Sequence, residues 1–552
     1  MRPPPTRPAW RAGSAVSLVL PLILAATFAA GGSAQEKTTT RATQGKATKA
    51  ASRPGQMLAI KVGTIHPVSG PDIQNGVLLV VRGKIVRVGT ADKVQVPVGA
   101  KVIEYPKGHA YPGLVDAMST AFAGSADLSF AGTNAGSDFK DALDRDHKPS
   151  RKIIEYGITT AYVSNRSGST WRGLGVIIRP RKDGFLRFRD RLHGGVQLRM
   201  TAGTASSHAL TRQKQLAGHT KPFDALEAYE KKFKDHDKAM KEYKKKYKEY
   251  LDYFRKKKKK AKAGAGANRG AGRGAGRPGG GRGRGRRGPR NRTGTTPPKE
   301  PPKKDPPKKE PPKKEPPKKE TPKKEPPKKE TPKKASPKGT TAKPTKDPKA
   351  PKKPKYPKPP KKVPAKEALL KVKRGDLPLR VEAHRRDEIR AVLKMRRDKE
   401  IPQVTLEHAT EAADLAQELV DAGVPVVVTE LFQGSGKGTY LERRDGSLPG
   451  KLHRAGVAVA IATGTSTGAE HLTMKAAWAC GKGMPEDAAI RAITLTAAEV
   501  LGVEEHIGSL DQGKVADVLI TSGPLLRSDT RVLRVISQGQ TQFEAHNQKE
   551  VK

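Results

Sequence analysis

The chain has 552 residues, with 108 Lys and Arg against 55 Asp and Glu, a formal net charge of +53 and one cysteine. A single thiol excludes an internal disulfide framework and a cysteine-based zinc site, so stability must come from an ordinary apolar core. The charge is concentrated: residues 256–365 carry 40 basic and 8 acidic residues, a net +32.

In chain order, the first segment reads as an export signal. Arg2, Arg7 and Arg11 precede AVSLVLPLILAATFAA (Ala15 to Ala30), and the small residues GGSA end it before Gln35. This is the order of a secretory signal, with cleavage expected after Ala34. The apolar run has 16 residues and contains Pro21, short of the roughly 20 that a membrane span requires. A retained anchor is therefore the weaker alternative. Residues 35–54 read as a linker, and the mature chain is expected to be periplasmic or extracellular, without a transmembrane span.

Residues 55–111 contain short alternating strands with Gly-bearing turns, as in NGVLLVVRGKIVRVG, and predict part of an antiparallel sheet. The segment YPGLVDAMST (Tyr111 to Thr120) opens a second region, 112–255, in which GITTAYV (Gly157 to Val163) is a short buried strand. Phe223 to Phe254 carries dense charge with Tyr and Phe at helical spacing, which predicts a long surface helix covering its neighbours.

Residues 256–365 change character completely. A lysine run leads into RGAGRGAGRPGGGRGRGRRGPR and then seven pentads from Pro301 to Ala335, of which PPKKE is the commonest form. Recurrent proline excludes helix and sheet pairing, and too little apolar surface offsets the entropy of ordering. An extended, self-repelling, disordered insertion is expected. A solvated spacer that separates or solubilises the folded parts is the preferred reading, with binding to an anionic polymer or surface as the alternative. Tyr356 is the only aromatic residue there, so bases would find no stacking platform, which argues against nucleic acid.

Beyond the insertion, LPLRVEAH, RRDEIRAVLKMRRDK, IPQVTLEH, ATEAADLAQELVDAG and VPVVVTE alternate strand and helix between Leu377 and Glu430. That spacing predicts parallel βαβ units across 366–504, with AGVAVAIATG adding a strand and PEDAAIRAITLTAAEVLGV adding helices. GSGKGT (Gly434 to Thr439) is close to a phosphate loop. However, Leu431 stands where the first glycine belongs and Gly438 where Ser or Thr belongs, so a barrel-mouth loop is expected. GSLDQGKVADVLI and RVLRVISQGQTQFEA place strands in 505–552, completing the sheet begun near residue 55. No Ser-His-Asp or Cys-His arrangement can be defended.

The motifs PGLVDA, GITTAYV, LPLRVEAHRRDEI, VTLEHATEA, AGVAVAIATG, AAIRAITLTAAEVLGV and GSLDQGKVADVLI together resemble the amidohydrolase superfamily, nearest its imidazolonepropionase-like branch. The resemblance implies an α/β fold, a distorted (β/α)8 barrel with a small composite β-sandwich built from both termini and interrupted by the insertion. It implies a metal-dependent hydrolase of C–N bonds other than peptide bonds, acting on small cyclic amides or blocked amino acids.

Family ligands map unevenly. His384 matches the strand-five histidine and His408 the strand-six histidine. The paired strand-one histidines are replaced by Met118 and Thr120, Gly464 stands near the strand-eight aspartate, and no bridging lysine can be assigned. The candidate metal ligands are therefore His384 and His408, joined by Glu382, which shares a strand face with His384. Zinc is the expected ion. Asp116, Asp387 and Glu407 are further carboxylates, although strict alternation turns Glu407 away from His408. Two functions stay open: a hydrolase with a rebuilt site, or an inactive amidohydrolase-fold binding protein tethered by its basic spacer to an anionic surface.

Overall fold

A computed structural model describes residues 57–123, 134–165, 170–189, 191–200, 218–267, 350–432, 443–464 and 468–545. The export signal, the pentads and the GSGKGT loop lie outside the described residues.

Residues 57–112 form β1 (Met57–Ile65), β2 (Ile73–Val81), β3 (Lys84–Thr90) and β4 (Lys101–Pro112). The barrel strands are β5 (Leu114–Ser119), β6 (Ile158–Val163), β7 (Trp171–Arg181), β8 (Gly184–Arg187), β9 (His193–Arg199), β10 (Leu379–Ala383), β11 (Val404–His408), β12 (Val426–Val428) and β13 (Val459–Ile461). The chain ends with β14 (Val518–Thr521), β15 (Val532–Ser537) and β16 (Gln540–Glu544).

One sheet has the order β16-β15-β14-β4-β1-β2-β3, so both ends of the chain build it, as the sequence predicted. Its seam is the antiparallel pairing of β14 with β4, Val518 opposite Pro112 and Thr521 opposite His109. Ile60, Leu78, Ile103, Val518 and Ile536 are buried together on one side. Ala59, Val77, Leu79 and Val94 form a smaller cluster on the other.

The second sheet runs β5-β6-β7-β9-β10-β11-β12-β13, with β8 a hairpin partner of β7. Strands β9 to β13 are mutually parallel, whereas β7 is antiparallel to both β6 and β9. The ring comes round where the Gly464 N–H donates to the Met118 carbonyl at 2.8 Å. This is an eight-stranded barrel with one reversed strand, so β10 is fifth, β11 sixth and β13 eighth.

A buried ion pair fills the barrel. Arg380, fully enclosed on β10, donates through Nε to Glu407 at 2.6 Å and through its terminal nitrogen to the Ala117 carbonyl at 2.8 Å. Gln197 on β9 donates to the other Glu407 oxygen at 2.8 Å. The guanidinium lies 4.1 Å from the centre of the Tyr162 ring. Gly195 makes room, because a Cβ there would stand 2.8 Å from the Arg380 side chain.

The predicted long helix is present and extends further, from Leu226 to Ala267. Lys and Ala are strong helix formers, so the helix continues through twelve residues that had been assigned to the disordered insertion. Its first turns are buried through Leu226 and Tyr229, where the Tyr229 hydroxyl donates to Glu367 at 2.5 Å. Asp237–Pro357 forms a separate compact unit, in which Tyr243 stacks on Tyr247 and meets Tyr356 edge-on at 5.3 Å. No helix among the described residues is long and apolar enough to cross a membrane.

Removing one member of the barrel ion pair strands a buried charge, which typically costs about 3–5 kcal/mol. Arg380→Leu should therefore lower unfolding stability in urea by about that amount, and Arg380→Leu/Glu407→Leu should recover most of it. A single variant within about 0.5 kcal/mol of wild type, the range of an ordinary surface change, would remove the pair from this role.

Candidate metal centre

Three of the predicted residues converge at the C-terminal end of the barrel strands. Glu382, His384 and His408 are all buried, and one ligand atom from each lies within 4.8 Å of the other two. Glu382 and His384 lie two residues apart at the end of β10. The strand then turns directly into the helix Arg386–Asp398, and Glu388 from its first turn accepts from the backbone N–H groups of His384 and Arg385 at 2.8 and 3.1 Å. This cap fixes where the strand stops and hence where His384 stands.

His408 arrives differently from what alternation predicts. Its φ is +68°, and that of Ala409 is +47°. A left-handed residue breaks the two-residue period of a strand. Glu407 accordingly pairs with Arg380, while His408 Nε2 comes within 3.8 Å of Glu382, and both partners lie on the same face of β10. The expectation that Glu407 and His408 face opposite ways is therefore corrected. His384 and His408 stack, with ring centres 4.9 Å apart. Each Nδ1 is held by a threonine hydroxyl, Thr410 at 2.9 Å for His384 and Thr429 at 2.6 Å for His408. Anchoring Nδ1 in this way turns Nε2 into the ligating nitrogen.

The carboxylate of Glu382 is engaged as well. Arg172, from β7, donates to Oε2 at 2.5 Å. Arg199, the last residue of β9, places Nε 3.0 Å from Oε1, an ion-pair distance. Strand four thus contributes an arginine beside the centre; a guanidinium stays protonated and has no lone pair for a metal. Although burial opposes ionisation, Arg172, His408 and Arg199 hold the Glu382 carboxyl down at about 2. Burial pushes His384 down to about 4, partly countered by Glu382. One ionised carboxylate and a neutral imidazole are the protonation states that metal binding requires.

The strand-one and strand-eight half of the family centre has been refilled with protein. Met118 is buried in an apolar cluster with Ala460 and Ala462, and Thr120 is half-buried. Asp116 sends its carboxylate to strand eight, accepting from the Thr463 N–H at 2.9 Å and the Thr463 hydroxyl at 2.5 Å. Lys475, which the sequence reading missed, donates to the carbonyls of Thr429 and Thr463 at 2.7 Å each and lies 3.3 Å from that of Ala462. A lone lysine in a helix carries no sequence signal of such a role. Gly464 has φ +73°, and a Cβ there would stand 3.0 Å from Thr429, so an aspartate could not simply be restored. Asp387 lies exposed in the first turn of its helix.

The donor set therefore fits one divalent ion, with Glu382, His384 and His408 as a two-histidine, one-carboxylate triad of the kind that leaves a fourth position open. It lacks the strand-one and strand-eight ligands of the family pattern. The surrounding charge opposes even the single ion. At an effective dielectric of about 20, unit charges about 4 Å apart interact by about 4 kcal/mol, and a divalent ion doubles that. Arg172 and Arg199 both stand at such range of anything bound to Glu382.

Two buried groups impose opposite pH slopes on stability. Burial raises Asp116 from 3.8 to about 6, so the folded state holds a proton that the unfolded state has lost, and stability falls as pH rises through that window. His384 is lowered from 6.5 to about 4, so stability rises with pH through nearly the same window. The two should largely cancel in wild type. Asp116→Asn should expose the His384 slope, with urea midpoints climbing from about pH 4 to about pH 6.5; a flat profile in the variant would contradict this.

Residues 387–547 match the model of the amidohydrolase family. No curated protein sequence matches the chain. Among solved structures, an amidohydrolase from Thermotoga maritima MSB8 is 18% identical, with a TM-score of 0.57 over 88% of this chain and 100% of its own. Looser likenesses, both at a TM-score of 0.43, are an adenosine deaminase from Xanthomonas campestris with bound zinc and a putative prolidase from Bifidobacterium longum. They are 12% and 13% identical, cover 90% of this chain, and are themselves covered to 95% and 97%. The family match over residues 387–547 and the barrel with its composite sheet support a likeness to the amidohydrolase superfamily.

Proposed function

We propose that the chain is an exported hydrolase of the imidazolonepropionase-like branch, acting on C–N bonds other than peptide bonds in small cyclic amides or blocked amino acids. One divalent ion, zinc by preference, would sit at Glu382, His384 and His408. The observation that carries this reading is the convergence of these three side chains within 4.8 Å at the barrel mouth. Export rests on the signal-like segment 1–34.

Amide hydrolysis needs a polarised carbonyl, an activated water and a group that carries the proton to the leaving nitrogen. When bound, a divalent ion supplies the polarisation and acidifies the water. The chain's own residues supply the rest. Thr410 and Thr429 keep both imidazoles oriented, and the Glu388 cap fixes the backbone beneath His384. The proton carrier would be a carboxylate that stays partly exposed beside the histidines. Glu382 is held by two arginines, Glu407 by Arg380 and Gln197, Glu388 by the helix N-terminus, and Asp116 by Thr463. Glu430, just beyond β12, has a side chain 29% exposed, pairs with Arg444 at 3.0 Å and acts electrostatically on His384. It is the carboxylate proposed to accept and return a proton.

A second reading is an inactive binding protein whose basic spacer, residues 256–365, tethers it to an anionic polymer or surface. It is favoured by the same arginine pair, which already satisfies the charge of Glu382, and by the net +32 of the spacer.

Equilibrium dialysis of the mature chain (Gln35 onward) against zinc should give about one ion per chain, lost in His384→Ala/His408→Ala. A folded wild type that takes up no zinc would favour the second reading. With a turned-over substrate in hand, Glu430→Gln should lower kcat about 100-fold with KM little changed, the usual reach of a proton-transfer group. An unaltered kcat would clear Glu430 of that role.

A further inference from the structure

Resting on the single-ion reading above, we infer that Arg172 and Arg199 form a guanidinium clamp that occupies Glu382 in place of the metal, so that loading of the centre is a competition between the ion and the clamp. Both Glu382 oxygens face a guanidinium: Oε2 accepts from Arg172 at 2.5 Å, and Oε1 lies at an ion-pair distance of 3.0 Å from Arg199 Nε. His408 Nε2 is 3.8 Å from that same Oε2, so the oxygen nearest a histidine ligand is also the one that Arg172 holds. A metal bound there at the usual distance of about 2 Å would stand within a few ångströms of the guanidinium that the same oxygen accepts from, so the two cations repel each other across it.

The clamp cannot release itself by losing a proton, because guanidinium stays charged across the accessible pH range. Release has to be by movement, and the two arginines differ in their freedom to move. The Arg172 side chain is 3% exposed and comes from the second residue of β7; that of Arg199 is 20% exposed and ends its strand. Arg199 is therefore the member that swings out, which frees Oε1 and removes one of the two positive charges facing the site, while Arg172 stays on Oε2. This assigns Arg199 a positioning role toward the centre, as the residue that sets how strongly metal is held.

Arginines beside a ligating carboxylate can act in the opposite sense, orienting it and strengthening the site, and removal of such an outer partner typically costs about 10–100-fold in affinity. The two roles therefore predict opposite signs. Calorimetric titration of zinc into the full mature chain, with cobalt absorption as a second readout, should compare wild type with Arg199→Gln, Arg199→Lys and His384→Ala/His408→Ala. The clamp predicts at least about tenfold tighter zinc in Arg199→Gln. It also predicts little change in Arg199→Lys, which keeps the charge, and no site in the histidine double variant. Weaker or unchanged zinc in Arg199→Gln, with wild type loaded, overturns the clamp and leaves the single-ion centre standing. No zinc in wild type but tight zinc in Arg199→Gln supports the clamp in its strongest form. No zinc in either overturns both. Should Arg199→Gln fail to fold, Arg172→Gln carries the same sign prediction.

Discussion

The Arg380–Glu407 pair inside the barrel is the interaction on which the rest of this structure depends. A closed ring of short strands encloses a space that side chains must fill, and here the filling is ionic. Arg380 reaches strand one through the Ala117 carbonyl, strand two through the Tyr162 ring and strand six through Glu407, which strand four also holds through Gln197. Five strands are thereby referred to one buried charge pair. Since burying two charges is costly unless their geometry and remaining hydrogen bonds are satisfied, the pair fixes which register of the barrel is tolerable. Glu382 and His384, two and four residues beyond Arg380, inherit their placement from it.

The same charge logic continues upward to the mouth. One layer above Arg380 and Glu407, Glu382 meets Arg172 and Arg199, and beyond it Glu430 meets Arg444. Glu382, Glu407 and Glu430 are each paired with arginine. In the other half, at strands one and eight, Asp116 is turned into a hydrogen-bond acceptor for Thr463, and Lys475 binds backbone carbonyls. The centre is thus split into a half that retains imidazoles and a half closed by internal polar bonds. This is why one ion fits the donors and two do not.

Much of this was legible in the sequence because it depends on local pattern. Strand–helix alternation from Leu377 to Glu430 gave the parallel part of the barrel, and period-two runs near both termini gave the shared sheet. Met118 and Thr120, standing where the resemblance implies paired histidines, announced a missing half-site because neither can ligate zinc. Glu382 could be joined to His384 because residues two apart share a strand face. His408 escaped that logic, since its left-handed backbone cannot be read from a His-Ala-Thr sequence with no glycine. The helix past Phe254 was also misjudged. There the lysine run was weighed for its charge rather than for the helix-forming tendency of Lys and Ala.

Residue types and spacing alone gave the export-like start, the basic insertion and the strand–helix alternation, which follow from composition, periodicity and covalent neighbours along the chain. The barrel and the two histidines came from the resemblance to the amidohydrolase superfamily. Only the tertiary structure decided what faces the carboxylates. Arg172, Arg199 and Lys475 come from separate elements, and Arg172 and Glu382 are 210 positions apart in the chain. Charge pairing acts through space at a few ångströms, whereas sequence pattern speaks only about neighbours, so the electrostatic character of the centre became visible when the barrel closed.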